Sequence, residues 1–138
     1  MYGSLDISTS GMIAQRTRLS VISANIANRG TILDEEGNYS PYLRRHVMFS
    51  SGDPSSGTRA GRSMGVHVRE IQQNPDALVE KYEPGNPFAD ERGYVKVPDI
   101  NPVVEQINAM EAARAYEANV AAAEASKQMH AQALRMLA

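Results

Sequence analysis

Gly52 and Gly57 in "GDPSSGT" have the G-x-x-x-x-G spacing of a loop whose backbone N–H groups cradle phosphate, but Thr58 stands where the phosphate-reaching lysine belongs. No helix is expected to follow, so the stretch reads as a surface loop. His46, His67 and His130 fall on different expected elements with no second ligand at metal-binding spacing, and packed or solvent-facing imidazoles are the expectation. Asp34, Glu35 and Glu36 before Gly37 and Asn38 lack the alternating oxygens and the closing bidentate Glu of a calcium loop. They read as an acidic turn. Asp90 and Glu91 are neighbours on a turn and would not converge on one substrate as an acid/base pair. Arg44, Arg45, Arg59 and Arg62 make a loose basic cluster that suits a solvated strand face or ion pairs to another subunit. None of these patterns supports catalysis, a metal or a cofactor.

Composition narrows the class further. Fourteen Lys and Arg stand against sixteen Asp and Glu, so there is no basic stripe for nucleic acid. Cysteine is absent, which excludes disulfides, thiolate metal sites and thiol nucleophiles. The start "MYGSLDISTSGMIAQRTRLS" lacks a basic lead into an unbroken apolar stretch, so no cleaved Sec-type signal is expected. No apolar run is long enough to suggest a membrane span.

The elements that would position these residues are two long helices around an irregular middle. Leu5, Met12, Leu19 and Ile26 fall seven apart with Ile22 between the last two, while Ile7, Ile13 and Val21 lie off that stripe. A helix apolar on more than one side wants more than one neighbour. Asn28 and Gly30 suit its end, Gly30 as a left-handed cap. A second helix is expected from the Asn101 cap and Pro102 to the last residue, unbroken by Gly or Pro, and about 55 Å long at 1.5 Å per residue. Val103, Ile107, Met110, Ala113, Tyr116, Val120, Ala123, Leu134 and Leu137 give it a stripe at steps of three and four, broken by one gap. Its twelve alanines from Ala109 onward let other helices come close. Between the helices, "GNYSPYLRRHVMFS" and "MGVHVREIQ" alternate as short strands.

The chain therefore divides into an N-terminal helix (1–30), a strand and loop insert (31–81) with a mobile Gly/Ser loop (50–63), a Pro/Gly-rich bracket (82–100) and a C-terminal helix (101–138). Proline fixes φ at Pro84, Pro87, Pro98 and Pro102, so "YEPGNPFADERGYVKVPDINP" is expected to be a stiff extended bracket that sets where the second helix begins. Two long helices joined by an insert too small to wrap them leave apolar surface for other chains. On pattern alone other copies or partners would bury that surface, with the two arms of an ordinary helical hairpin in a monomer as the rival and a monomeric helical adaptor as an alternative function.

"LDISTSGMIAQRTRLSVISANIANRGT" resembles the N-terminal signature shared by bacterial flagellar rod and hook proteins, with Asn25, Ile26, Ala27 and Asn28 as its closing N-I-A-N. "YEPGNPFADERGYVKVPDINPVVE" is similar to the Y-x-P-G-x-P-x-A-x-x-x-G-Y-V-x-x-P-x-x-N-P pattern of the proximal rod family, FlgC type, and "ARAYEANVAAAEASKQM" extends the likeness. Arg29, Gly30 and His130 depart from the family pattern. The resemblance implies a mainly α fold with the terminal helices paired as an antiparallel coiled coil and a small strand-rich insert outside. It implies a structural subunit of the basal-body rod, polymerising helically into a periplasmic drive shaft for motility and exported by the flagellar type III apparatus without a cleaved signal. The implied partners are other copies, the B and F types of proximal rod protein, the distal rod, the proteins joining the rod base to the MS ring, and the export apparatus. Nucleic acid, a direct membrane span and cofactors are not expected. The residues expected to meet neighbouring subunits are Leu5, Met12, Leu19, Ile22, Asn25, Ile26, Asn28, Tyr82, Tyr94, Ile107, Met110, Tyr116, Val120, Leu134 and Leu137.

Overall fold

The computed structural model describes residues 3–52, 54, 62 and 64–137. Helix α1 spans Gly3–Ala27, strands β1 and β2 span Arg45–Ser51 and Val66–Gln73, β3 and β4 span Leu78–Tyr82 and Tyr94–Pro98, and helix α2 spans Pro102–Leu137. β1 and β2 form one antiparallel pair, β3 and β4 another. The expectation of a mainly α chain is therefore corrected, because the insert is a sheet-containing unit of two hairpins beside the two helices. The second hairpin was hidden by its prolines. Pro98 closes β4, while Pro84 and Pro87 fall in the turn, places that do not interrupt a ladder.

That hairpin also reshapes the expected bracket. Tyr82 ends β3 and pairs with Tyr94, which opens β4, so the segment turns back on itself rather than running extended. Asp90 caps the return, its Oδ1 accepting from Arg92 N–H at 2.9 Å and Tyr94 N–H at 2.8 Å. The Tyr82 and Tyr94 rings meet edge to face at 5.3 Å, and Tyr39 stacks on Phe88 at 5.5 Å. In the first hairpin the register slips between Met48 and Phe49, where Arg69 is the extra residue of a bulge. This hairpin lies along α1: Arg45 sits at the Asn25 end, and at the far end Val66 N–H donates to Ser10 Oγ at 3.1 Å.

The end of α1 and the start of α2 are each closed by a side chain. Asn101 Oδ1 accepts from Val103 N–H at 2.9 Å, with Pro102 at the first helical position, where a missing N–H costs nothing. At the end of α1, Asn28 Nδ2 donates to the Ala24 carbonyl at 2.9 Å. Gly30 does not take the left-handed conformation expected of it, since the positive-φ glycines of the described residues are at 37, 52, 65 and 93. The Ala24 carbonyl accepts the Asn28 backbone N–H at 3.0 Å as well, so Asn28 closes the helix with both its main chain and its side chain. Most of the Gly/Ser loop, including Gly57, Thr58 and Arg59, lies outside the described residues.

The helices run antiparallel, with Gly11 against Asn119, Arg18 against Glu111 at 3.2 Å and Asn25 against Glu105 at 3.1 Å. Their contact is made by small and polar residues. On α2, Glu105, Ala112, Asn119 and Ser126 recur every seventh residue, the first two and the last buried and Asn119 half-buried. On α1 the facing set is Gly11, Arg18 and Asn25, with Ser8, Ala14, Val21 and Ile22 buried alongside. The stripe expected on α2 does not keep to this face. Its steps average less than 3.6 residues, so it winds round the helix. Val103, Ile107 and Met110 point away from α1, whereas Tyr116, Val120 and Ala123 flank it.

Candidate assembly interface

A polar cluster lies where α1 ends, β1 begins and α2 begins. Asn25, in the last turn of α1, is 1% exposed. Its Nδ2 donates to the Arg45 carbonyl at 2.8 Å and to Glu105 Oε2 at 3.1 Å, while its Oδ1 accepts from Arg45 N–H at 3.0 Å and from Tyr42 O–H at 3.1 Å. Two donors and two acceptor positions are all filled. Asn25 thus treats Arg45 as a neighbouring strand would, taking both its backbone groups on the side opposite Gln73.

Glu105, equally buried, lies in the first turn of α2. Its Oε1 accepts from Arg44 Nε at 3.0 Å and Nη2 at 2.6 Å, a charge-assisted pair shielded from water on the carboxylate side. Burial raises the Tyr42 phenol above its usual 10.0; the Arg45 charge pulls it down and the Glu105 charge pushes it up. Arg45 also stacks over the Tyr42 ring, 5.3 Å from its centre. A cleft of about 290 Å³ beside this cluster is lined by Arg18, Arg44, Arg45, Phe49 and Asn108 among others. Its cations are engaged, Arg18 with Glu111, Arg44 with Glu105 and Arg45 with Tyr42, so the arrangement fastens segments together rather than aiming groups at a substrate.

The outer surface is apolar in patches. Ile107 is 51% exposed and Val103 and Met110 are exposed on the same side, with Ile7 and Ile13 exposed on α1. α2 is also longer than its partner, 36 residues against 25. The pairing of Gly11 with Asn119 brings Gly3 level with about Lys127, and the last turns of α2 run on beyond α1 by about 15 Å. Met129, Leu134 and Met136 are exposed there. Leu134 is on the side that faces α1 lower down, but α1 has ended.

The residues expected at subunit contacts divide accordingly. Ile22 and Asn25 are buried within the chain itself. Leu5, Met12, Leu19, Ile26, Asn28 and Val120 are half-buried, and Tyr82, Tyr94, Ile107, Met110, Tyr116 and Leu134 are exposed. The side chain of Leu137 lies outside the described residues. Among the other candidates, Asp34 Oδ1 caps its own turn, accepting from Glu36 N–H at 3.0 Å and Asn38 N–H at 2.8 Å. His46 bonds Gln72 and His67 bonds the Gly52 carbonyl, each within the first hairpin. Among the described residues no group of three or more His, Asp or Glu is placed to share a metal ion, and no helix is long and apolar enough to cross a membrane. Glu105 and Tyr42 were not singled out from the sequence. An acid in a first helical turn usually serves the helix dipole at the surface, and nothing local marks this one as buried.

Comparison with known proteins places two segments in family models. Residues 5–31 match the flagella basal body rod protein family, and residues 91–136 match the C-terminal family of flagellar basal body rod FlgEFG proteins. Over most of its length the chain is similar to proteins named flagellar basal-body rod protein FlgC. The one from Escherichia coli O6:H1 is 42% identical over 117 residues, covering 83% of this chain and 81% of the relative. That from Aquifex aeolicus is 38% identical over 133 residues, covering 94% and 91%. That from Buchnera aphidicola of Acyrthosiphon pisum is 35% identical over 124 residues, covering 90% and 88%.

Proposed function

The chain belongs to the FlgC family of flagellar basal-body rod proteins and is a structural subunit of the proximal rod; from that premise we propose that it polymerises helically through the outward faces of its two helices. The observation that carries this reading is the distribution of apolar side chains. The helix pair closes on small and polar residues and leaves Val103, Ile107 and Met110 outside. In a lone chain that surface meets water, whereas neighbouring subunits would bury it at a gain of about 25 cal/mol per Å².

In this reading Ile107, Met110, Leu134, Tyr82 and Tyr94 meet other subunits, supported by their exposure, while Ile22 and Asn25 act inside the subunit. Neighbours are other copies, B-type and F-type rod proteins, the distal rod and the proteins at the rod base. The chain reaches the periplasm through the flagellar type III apparatus and there forms part of the shaft that carries torque. A strain lacking this chain should be non-motile, and an epitope-tagged copy should restore motility and remain in detergent-isolated basal bodies. Restored motility with the tagged chain absent from those particles would overturn the reading.

A further inference from the structure

We infer that Asn25 and Glu105 are positioning residues that fix the angle between the strand insert and the helix pair. The inference rests on the reading of the chain as a rod subunit and adds to it where that subunit obtains its rigidity.

Both hairpins are rooted at one place. Arg45 opens β1 opposite Gln73, which closes β2, and Asn74 N–H donates to the Arg44 carbonyl at 3.0 Å. The second hairpin enters from Asn74 and leaves through Pro98 to Asn101 into α2. Its base is closed by Asp99 N–H donating to the Ala77 carbonyl at 2.9 Å. Neither β3 nor β4 packs along a helix, whereas β1 and β2 do. The angle of the second hairpin is therefore set by its root, which Asn25 and Glu105 occupy, and by Tyr39, whose hydroxyl donates to the Lys96 carbonyl at 2.8 Å and accepts from Lys96 N–H at 3.0 Å. The segment carrying Tyr39 is itself tied to Asn25 through Tyr42.

Their chemistry makes the joint stiff. Asn25 joins α1 to the backbone of Arg45 and to α2, and Glu105 joins α2 to Arg44 of the insert. Because both are buried, releasing either partner leaves polar atoms unpaired away from water, so partly open geometries are costly. Two discrete states, closed or broken, replace a continuum of hinge angles. A shaft subunit that transmits twist from its axial helices to its outer strands needs that property.

The chain has no cysteine, so two can be introduced for spin labels at exposed positions, Ser20→Cys on α1 and Glu91→Cys at the turn of the second hairpin. The labelled chain is diluted with unlabelled chain and measured in isolated basal bodies by pulsed electron spin resonance. The unaltered joint should give one narrow distance distribution. Glu105→Gln sets one amide NH₂ against Asn25 Nδ2 and should broaden the distribution about twofold or more, with helix content unchanged. Glu117→Gln, the same change at an exposed position of α2 outside the joint, should leave the distribution narrow. An unchanged width in Glu105→Gln, or equal broadening in Glu117→Gln, overturns the inference. Labelled chain with an intact joint missing from basal bodies would overturn the rod reading instead. If only the Glu105→Gln chain stays out of the rod, the same labels in the purified full chain are read by the same two criteria.

Discussion

Gly11 of α1 lies so close to α2 that a β-carbon there would sit 2.5 Å from Asn119 Oδ1 and 2.8 Å from its Cγ. The Asn119 amide is held in place by its own Nδ2, which donates to the Ala115 carbonyl at 2.7 Å. Glycine at this point is what lets the two backbones approach. Gly11→Ala gains about 1 kcal/mol of helix propensity but overpacks the crossing at about 1–3 kcal/mol, so a net loss of about 1 kcal/mol is expected. Asn119→Ala in the same chain removes the obstacle and keeps the propensity gain. Urea unfolding should place the double variant above the unaltered chain and the single variant below it; the reverse order would mean the crossing is looser than described.

Why the helices could be read from the sequence and their contact could not follows from the same residues. Asn101, Pro102 and an unbroken Ala-rich run announce α2 locally, and alternation announces β1 and β2. The face that α2 turns toward α1 is set by Glu105, Ala112, Asn119 and Ser126, none of which signals a core by its type. The place of Asn25 in N-I-A-N suggests a subunit contact. Its burial depends on partners 20 and 80 residues away, which no local pattern contains. β3 and β4 alternate in "LVEKY" and "YVKVP", but the intervening Pro84, Gly85 and Pro87 give the segment the local pattern of an extended, proline-fixed loop.

Tyr42 offers a pH test of the joint. Its neutral phenol donates to Asn25 Oδ1, and burial, helped by the Glu105 charge against that of Arg45, raises its pKa above 10.0 in the folded chain. The unfolded phenol therefore loses its proton first. The stabilisation is complete below pH 10 and is lost as pH rises through the folded value. Thermal unfolding followed from about pH 8 to about pH 11 should show an alkaline decline that Tyr42→Phe reduces, with the variant about 1 kcal/mol less stable at neutral pH from the lost hydrogen bond. An alkaline slope unchanged in Tyr42→Phe would assign the decline to other groups.

The turn of the second hairpin depends on Gly93. Its φ is +80°, and a β-carbon there would meet Tyr82 Cε2 at 3.0 Å and Pro84 Cβ at 3.2 Å. Gly93→Ala should cost about 1–2 kcal/mol from the left-handed backbone, with further loss from displacing the Tyr82 ring. Gly85→Ala is the matched control, since nothing lies within 4 Å of its β-carbon and its φ is not positive; a change within about 0.5 kcal/mol is expected there. Proton spectra should lose the edge-to-face contact between Tyr82 and Tyr94 only in the Gly93 variant. Equal stability of the two variants would show that the turn accommodates a side chain at position 93.

Ile107 and Val120 separate folding from assembly. Ile107 points away from α1, two residues and so more than half a turn from Glu105, whereas Val120 is half-buried beside α1. Ile107→Asp places a carboxylate in water in the lone chain, so its stability should stay within about 0.5 kcal/mol of the unaltered protein. In a rod whose neighbours cover that face, the same carboxylate must be desolvated in every copy at a cost of several kcal/mol, or take up a proton. Val120→Asp should weaken the chain itself by about 1–3 kcal/mol, because part of the new charge is buried against its own first helix. Glu117→Gln, on an exposed position, should do neither. The measurements are unfolding of each purified variant, motility, and the presence of the exported protein in isolated basal bodies. Ile107→Asp is expected to fold and be exported normally yet be absent from the rods of non-motile cells. Motile cells carrying Ile107→Asp in their basal bodies would show that this face stays open to water, and that the outward apolar surface of α2 is not what holds the subunits together.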